Sequence, residues 1–387
     1  MLTTTEKKIH WLGAGLSSVP GLRYLAEQGL PMIVWNRTVS KAEAALSDIP
    51  APLTTIQAYD EALLGRILQA DDIVISMLPA SKHLDIATLC LHKGAHLLTA
   101  SYLSPEMAAL DQAAKAKNLC FVNEIGLDPG LDHILAYEAV EAFQDTPHWN
   151  DPSARVQFRS LCGGLSEIPN EFCYRFSWSP IGVLKALRIP AAFINKGRKQ
   201  QTSRVWEHTA QVTIENETFE AYPNRDSLPY ITDYDLARGN FQLQTFIRGS
   251  LRLAGWHKAW QPIFQQIQQS SEEDLSRLSE TLWKEHAFAR DENDRVVLFV
   301  SLESDSPQYG KWRHQGIIDH LGTESGSAMG VLVSLPIALM AISLREGSSA
   351  TGVGTAPKAP RERNRILGKL AAAAGIRLCQ KTSWSNA

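Results

Sequence analysis

What most constrains this chain is the alternation of short apolar runs with helix-length amphipathic stretches over its first third. Residues 8–12 (KIHWL) read as a strand, followed by Gly13-Ala14-Gly15-Leu16-Ser17-Ser18 and an amphipathic helix over 19–28 that Gly29 ends. A second strand spans 32–35 and a helix 40–46. Further strands fall at 72–78 (DIVISML), 96–100 (HLLTA) and 119–123 (LCFVN), each separated by a helix-length segment. Strands that alternate with helices form a parallel, doubly wound sheet. The functional crevice of such a sheet lies beyond the carboxyl ends of its strands. The clusters GAGLSS, NRTVS, LPAS, SYLSP and NEIGLDPG all follow strands, so all five fall at that edge.

The glycine loop gives this edge its chemistry. Gly13 permits a tight turn, Gly15 lets the backbone approach a pyrophosphate, and the N-terminus of the following helix favours the phosphate charge. The third position of the G-x-G-x-x-G pattern is Ser18, so the position of the loop, after a strand and opening a helix, carries more weight than its spelling. An NAD site places Asp or Glu about 20 residues after the glycines to hold the ribose hydroxyls. Here the second strand ends in Asn36-Arg37-Thr38, with no carboxylate. Arg37 suits stacking on adenine and pairing with a 2′-phosphate, with Asn36 and Thr38 as further donors. NADP is therefore the expected cofactor and NAD the alternative, while the plain reading of Arg37 is a solvated loop arginine.

Composition argues against several other classes. Lys plus Arg number 38 and Asp plus Glu 41, a formal net charge of −3, so there is no basic surplus for nucleic acid or an anionic membrane surface. The longest apolar run, residues 328–343, contains Pro336 and falls short of the ~20 residues of a membrane span, which reads as a bent, buried helix. The cysteines, at positions 90, 120, 162, 173 and 379, form no CxxC pair, and no His, Cys, Asp or Glu group has metal-ligand spacing. The N-terminus lacks a secretory pattern. The expectation is a cytoplasmic protein with a small-molecule partner, without metal, nucleic acid or membrane, and with a homodimer as an assembly open to it.

From residue 133 the pattern changes. Strand-like segments at 155–161, 205–215 and 295–301, with helices between them, predict an α+β domain on a mixed sheet. Residues 261–286, with apolar residues at helical spacing, read as one or two surface helices in a helical insert at about 255–290. A Gly/Ala/Pro loop at 347–360 precedes a basic helix at 361–375 and a strand at 377–380. The expected organisation is a Rossmann-like dinucleotide-binding domain over 1–132, an inserted substrate-binding domain over 133–326, and a C-terminal segment over 327–387 that returns to the first domain.

Seven strings spread over nearly the whole chain point further: ASYLSPEM (100–107), NEIGLDPGLDH (123–133), CGGL (162–165), YRFSWSPIGVL (174–184), YPNRDS (222–227), RGSLR (248–252) and SAM (327–329). In content and order they resemble the saccharopine dehydrogenase family, in its glutamate-forming, saccharopine reductase type. The resemblance implies NADP-dependent interconversion of saccharopine with 2-aminoadipate 6-semialdehyde plus glutamate, through an imine and hydride transfer. It implies catalytic candidates Asp128, Tyr102 and Cys162, and a substrate site of Ser101, Tyr102, Asp128, Trp178, Arg225, Arg248, Gly249 and Ser250. Cofactor contacts would come from Gly13, Gly15, Leu16, Ser17, Asn36, Arg37, Thr38, Leu78, Pro79, Glu124, Leu127 and Ser177. The chain departs from the family after CGGL, where Ser166-Glu167-Ile168-Pro169-Asn170 replaces a Pro-Ala-Pro-Glu string and a longer loop, and in a shorter helical insert.

That chemistry names the groups it needs. An amine adds to an aldehyde, water leaves, and hydride reduces the imine to a secondary amine. Three substrate carboxylates ask for cations, and the planar forks of Arg225 and Arg248 suit them. The alternatives are a local pair of Arg225 with Asp226 and a strand-end surface charge for Arg248. Proton transfer asks for a group within hydrogen-bond reach of the reacting atoms. Asp128 leads, in a Gly/Pro-framed turn at the carboxyl end of a strand, although LDPG is also good turn chemistry. Tyr102 and Cys162 compete, one as a packing tyrosine otherwise and the other as inert filler. Water or the substrate amine can also carry the proton. Phe176 and Trp178 either wall the pocket or belong to the core, and His133 reads as a capping or packing residue. Two other activities stay open: an imine reductase of the carboxynorspermidine or carboxyspermidine type, and a dinucleotide-binding sensor without turnover.

Overall fold

The computed structural model describes residues 7–289, 292–324, 326–347 and 351–385. Its first elements follow the alternation of the sequence: β1 (Ile9–Leu12), α1 (Val19–Glu27), β2 (Met32–Asn36), α2 (Val39–Leu46), β3 (Thr54–Ala58), α3 (Glu61–Ile67), β4 (Ile73–Ser76), α4 (His83–Lys93), β5 (His96–Thr99), α5 (Pro105–Ala108), α6 (Asp111–Ala116), β6 (Cys120–Val122) and α7 (Leu131–Gln144). There follow β7 (Arg155–Ser166), α8 (Pro180–Arg188), β8 (Ala191–Asn195), β9 (Arg198–Thr202), β10 (Ala210–Ile214), β11 (Glu217–Pro223), α9 (Pro229–Asp233), β12 (Gln242–Leu253), α10 (Trp256–Ala259), α11 (Gln261–Gln269), α12 (Glu272–His286), β13 (Asp294–Ser306) and β14 (Gly310–Leu321). The chain closes with α13 (Ala328–Arg345), β15 (Gly352–Gly354), α14 (Pro360–Ala374) and β16 (Arg377–Ser385).

Two units result. The first holds the residues up to Ile134 and Gly330–Ala374. Its sheet has the order β15-β6-β5-β4-β1-β2-β3 with every pair parallel. The order reverses between β1 and β4, the switch point at which sheets of this kind open a crevice. β1 and β4 are buried along their whole length, as strands covered by helices on both faces should be. Leu12, Trp35, Leu64, Val74, Ile86, Leu97 and Phe121 form part of this core. Two strands of this sheet lie outside the sequence reading. β3 (TTIQA) is a half-exposed edge with a weak apolar signal, and β15 is a three-residue strand within the Gly/Ala/Pro loop, of which residues 348–350 fall outside the described residues.

The second unit holds Leu135–Met329 and the residues from Gly375. Its nine-stranded sheet runs β10-β11-β12-β7-β13-β14-β16, with β8 on β12 and β9 on β8. It is mixed, because β12 and β7 are parallel while the other pairs are antiparallel. The strand expected over 205–215 is divided: residues 205–208 make a short helical turn, and only Ala210–Ile214 pairs, as the first arm of a hairpin with β11. The return of all of 327–387 to the first domain is likewise corrected. β15 and α14 do return, but β16 pairs with β14 over Arg377 to Ser385 and extends the second sheet. Residues 255–286 form three helices whose buried Trp256, Trp260, Phe264, Ile267, Leu275 and Leu282 recur at helical spacing and join one cluster with α8. α13 is long and apolar enough to cross a membrane, yet 83% of its stretch is buried inside the protein, as a core helix is.

Candidate functional site

In the first unit the five strand-end clusters stand on the carboxyl edge of the parallel sheet. Neighbouring strands fix the glycine loop: Gly13 N donates to Trp35 O at 2.8 Å and Ala14 N to Asn36 Oδ1 at 3.0 Å. Gly13 has φ +100° and lies where a Cβ would come within 3.1 Å of Met77 O, so this turn requires glycine. Ser18, in the third motif position, braces the loop with a hydroxyl that reaches Gly13 O at 3.1 Å and Gly15 O at 2.9 Å. The close helix approach expected of a third glycine is moved to Gly21, whose Cβ would sit 2.2 Å from Ser334 O in α13 and whose N–H donates to Ser334 Oγ at 2.7 Å.

Gly15 and Leu16 are exposed and Ser17 is half-buried; a Cβ on Gly15 would meet nothing within 4 Å. With the N-terminus of α1 directly behind, this loop fits a pyrophosphate. At the end of β2 the Asn36 side chain is engaged within the protein, accepting from Ala14 N and donating to Thr38 O at 2.8 Å, while Arg37 and Thr38 are exposed. An exposed guanidinium at this place fits a 2′-phosphate better than it fits a bare ribose. Across the switch point Leu78 is half-buried and Pro79 exposed.

The turns after β5 and β6 are bound to each other. Glu124 N donates to Ser101 O at 3.0 Å, Leu103 N to Glu124 Oε1 at 2.8 Å, and the Tyr102 hydroxyl to Asp128 Oδ1 at 3.3 Å. Ser101, Tyr102 and Asp128 are therefore brought together, each half-buried. Glu124 is buried, its other oxygen 2.8 Å from His133 Nε2, so its carboxylate is engaged inside the protein; Leu127 is buried too. Asp132 lies 3.7 Å from His133 Nδ1 and accepts from Gly130 N at 2.7 Å. His133 thus sits in the interior between two carboxylates. One buried residue of this edge escaped the sequence reading. His83, at the start of α4, reaches Ser76, Thr99 and Ser101, and burial pushes its pKa down to about 4. Nothing in LPASKH marks it, because its partners come from two other strands.

In the second unit β12 is long enough to pair with two short strands in turn, β8 at Thr245 and Phe246 and β11 from Gly249 to Leu253. The segment after β11 crosses at this seam. Asn224 N donates to Arg248 O at 2.9 Å, Ala192 N to Arg225 O at 3.0 Å, and Arg248 N to Ser227 Oγ at 3.0 Å. Arg225 and Arg248 are thereby joined through the backbone of one turn. Arg248 is buried, with its guanidinium carbon 4.1 Å from the ring centre of Tyr230, which overturns the reading of a surface charge. Asp226 Oδ1 accepts from Leu228 N at 2.9 Å. Gly249 has a packing reason to be glycine, since a Cβ there would lie 2.6 Å from Tyr222 O. Ser250 stands beside Cys162 in the parallel register, and Cys162 is buried. Ser177 lies near Gly164, and Trp178 packs over Gly182 on the edge of the helical cluster. Phe176 is a core residue, buried against Tyr174 and Trp260. Among the described residues no group of His, Cys, Asp and Glu could hold a metal ion.

Residues 9–122 match the family model described as saccharopine dehydrogenase NADP binding domain, and residues 126–376 the one described as saccharopine dehydrogenase C-terminal domain. The NADP(+), L-glutamate-forming saccharopine dehydrogenase of Schizosaccharomyces pombe is 36% identical over 255 residues, 63% of this chain and 54% of that one. The mitochondrial alpha-aminoadipic semialdehyde synthase of Mus musculus is 32% identical over 268 residues, 66% of this chain and 28% of that protein. The chain thus spans about half the length of the first relative and about a quarter of the second. Among solved structures, apo saccharopine dehydrogenase (L-Glu forming) of Saccharomyces cerevisiae matches with a TM-score of 0.81 at 23% identity, over 97% of this chain and all of that one. Homospermidine synthase of Legionella pneumophila matches with a TM-score of 0.63 at 12% identity, over 98% and 92% of the two chains. These two likenesses speak for the fold.

Proposed function

The chain belongs to the saccharopine dehydrogenase family, and from that premise we propose that it interconverts saccharopine with 2-aminoadipate 6-semialdehyde and L-glutamate, using NADP. The observation that carries this reading is the hydrogen-bonded Tyr102–Asp128 pair, on the same sheet edge as the glycine loop and the exposed Arg37.

In the oxidative direction, hydride leaves the carbon bonded to the secondary amine, water adds to the resulting imine, and the carbinolamine breaks its C–N bond to give aldehyde and the amine of glutamate. NADP supplies the hydride acceptor. The chain supplies the rest. The glycine loop and the N-terminus of α1 hold the pyrophosphate, and Arg37 takes the 2′-phosphate. The Arg225 and Arg248 forks take substrate carboxylates, with Arg248 held against Tyr230. Asp128, oriented by the Tyr102 hydroxyl, stabilises positive charge on the reacting nitrogen. Cys162 serves beside Ser250 as part of the wall and not as an acid or base, because a buried thiol is a weak proton donor. The amino-acid substrate is the partner in this reading, and five free cysteines suit a reducing compartment, the cytoplasm.

The test is a steady-state assay of purified protein with saccharopine and NADP+ or NAD+, beside one with a diamine, aspartate semialdehyde and NADPH. Turnover of saccharopine with preference for NADP+ is expected. Turnover of the diamine pair alone, or of neither, would refute the assignment.

A further inference from the structure

We propose that His83 is a positioning residue for the turn after β5, holding the Ser101 hydroxyl in the orientation with which it meets substrate; this rests on the proposed function, which places Ser101 at the substrate.

The ring is 5% exposed and its two nitrogens reach three hydroxyls. Nδ1 lies 3.0 Å from Ser76 Oγ at the end of β4, and Nε2 lies 2.8 Å from Ser101 Oγ and 3.0 Å from Thr99 Oγ1 at the end of β5. Thr99 Oγ1 also accepts from Ser101 N at 3.2 Å. One imidazole therefore ties two strand ends to the residue that begins the Ser101-Tyr102-Leu103 turn. The sheet does not need this tie, since β4 and β5 pair through their backbones from Ile73 with His96 to Ser76 with Thr99. What backbone pairing leaves open is the rotation of a hydroxyl, which turns to whichever partner is present. Ser101 is half-buried, so His83 fixes from the inside a hydroxyl on a residue that keeps an accessible side.

Burial keeps the ring neutral, with a pKa near 4. At neutral pH one nitrogen donates and the other accepts, so the hydroxyls around it can order into a single chain. The ring exchanges no proton in that range, which makes holding its role and not transfer.

Kinetics with saccharopine and NADP+ on three substitutions and one cycle test this. His83→Gln keeps an amide near the place of Nε2, His83→Asn keeps one near Nδ1, and His83→Phe keeps the volume alone. The expected result is a rise in KM for saccharopine of about three- to tenfold in the Asn and Phe variants, the size of one lost hydrogen bond, with kcat within about twofold and KM for NADP+ unchanged. His83→Gln should recover most of the loss. Ser101→Ala should raise KM by a similar factor, and adding His83→Asn to it should change little more, because both act on one contact. Wild-type KM in a folded Asn variant, recovery by Asn instead of Gln, or full multiplication of the two effects overturns the proposal. Thermal midpoints recorded alongside separate lost folding from lost binding, and if His83→Phe does not fold the Ser101→Ala cycle decides alone. A wild-type enzyme without turnover refutes the proposed function and this inference with it, whereas wild-type turnover with unaffected variants refutes the inference only.

Discussion

Asp128 and Tyr102 stand 26 positions apart in the chain and 3.3 Å apart in space, and their pairing separates three roles for the carboxylate. An electrostatic partner of the reacting nitrogen would make Asp128→Asn lower kcat/KM modestly while the pH–rate profile keeps both limbs. An acid–base catalyst would lose about 10²- to 10⁴-fold in kcat together with one limb. A turn residue would cost stability and spare turnover. The first outcome is expected, because water and the substrate amine can move the proton themselves; the disappearance of a limb would show the role to be larger. Arg37 governs the choice of cofactor. Wild type should prefer NADP+ over NAD+ in kcat/KM by about tenfold or more, since a charge-assisted contact is worth roughly 1.5–3 kcal/mol, and Arg37→Ala should collapse that ratio. An unchanged ratio would return Arg37 to solvent. For Arg248, alanine should raise KM for saccharopine by at least about tenfold and lysine should rescue only in part, with cofactor affinity unchanged. A normal KM in a folded Arg248→Ala protein would leave the residue a purely structural partner of Tyr230. At this scale the sequence was readable where one string sets its own backbone geometry, as at the Gly13 turn and the LDPG turn. It was opaque where partners come from distant strands, as with His83, or where a side chain turns inward, as with Asn36 and Glu124.

In the parallel sheet, strands were legible in proportion to how much apolar surface each buries. β1, β4 and β5 are short runs covered on both faces and read directly, while β3 at an exposed edge and β15 with two glycines carry little side-chain signal and pair through their backbones. β16 could be recognised as a strand but not assigned to a sheet, because its partner β14 lies more than fifty residues away and only the register shows the match. α1 shows how a local weakness serves packing. Glycine inside a helix costs up to ~1 kcal/mol relative to alanine, yet Gly21 lets α1 approach Ser334 of α13 more closely than a Cβ allows. Gly21→Ala is therefore predicted to destabilise the protein by about 1–3 kcal/mol in spite of its better propensity, since the obstructing atoms are backbone and cannot rotate away. Because α1 carries the glycine loop at its N-terminus, NADP+ affinity should fall as well. Urea denaturation and cofactor titration measure the two effects, and an alanine variant as stable as wild type would mean that α1 shifts freely against α13.

Across the whole molecule, six histidines are kept below their ordinary pKa by burial: His83 and His96 in the first unit, and His148, His286, His314 and His320 in the second. Nearby carboxylates such as Asp71 and Asp151 pull some of them partly back up. In the unfolded chain each would titrate near ~6.5, so below that pH the unfolded state binds more protons than the folded one. Their contribution to stability is full above about pH 6.5 and is lost as pH falls through the folded values, which for His83 means down to about 4. The carboxylates act lower. Burial alone would raise Asp72, but hydrogen bonds with His10, Gln69 N and Lys8 N outweigh it and hold the group below 3.8, so its contribution disappears only as pH falls through that lower range. Buried Asp294 is shifted the opposite way, upward by burial against the N–H groups of Ala328 and Met329, so the folded state holds its proton more tightly and this group partly offsets the acid loss. Denaturation midpoints should therefore be level from about pH 7 to 8, decline from about 6.5 towards 4, and decline further below 4. His83→Gln should make the first decline shallower, because a group that no longer titrates cannot contribute to the slope. A midpoint flat from pH 7 to 5, or a slope there unaltered by His83→Gln, would mean that these rings take up protons without unfolding.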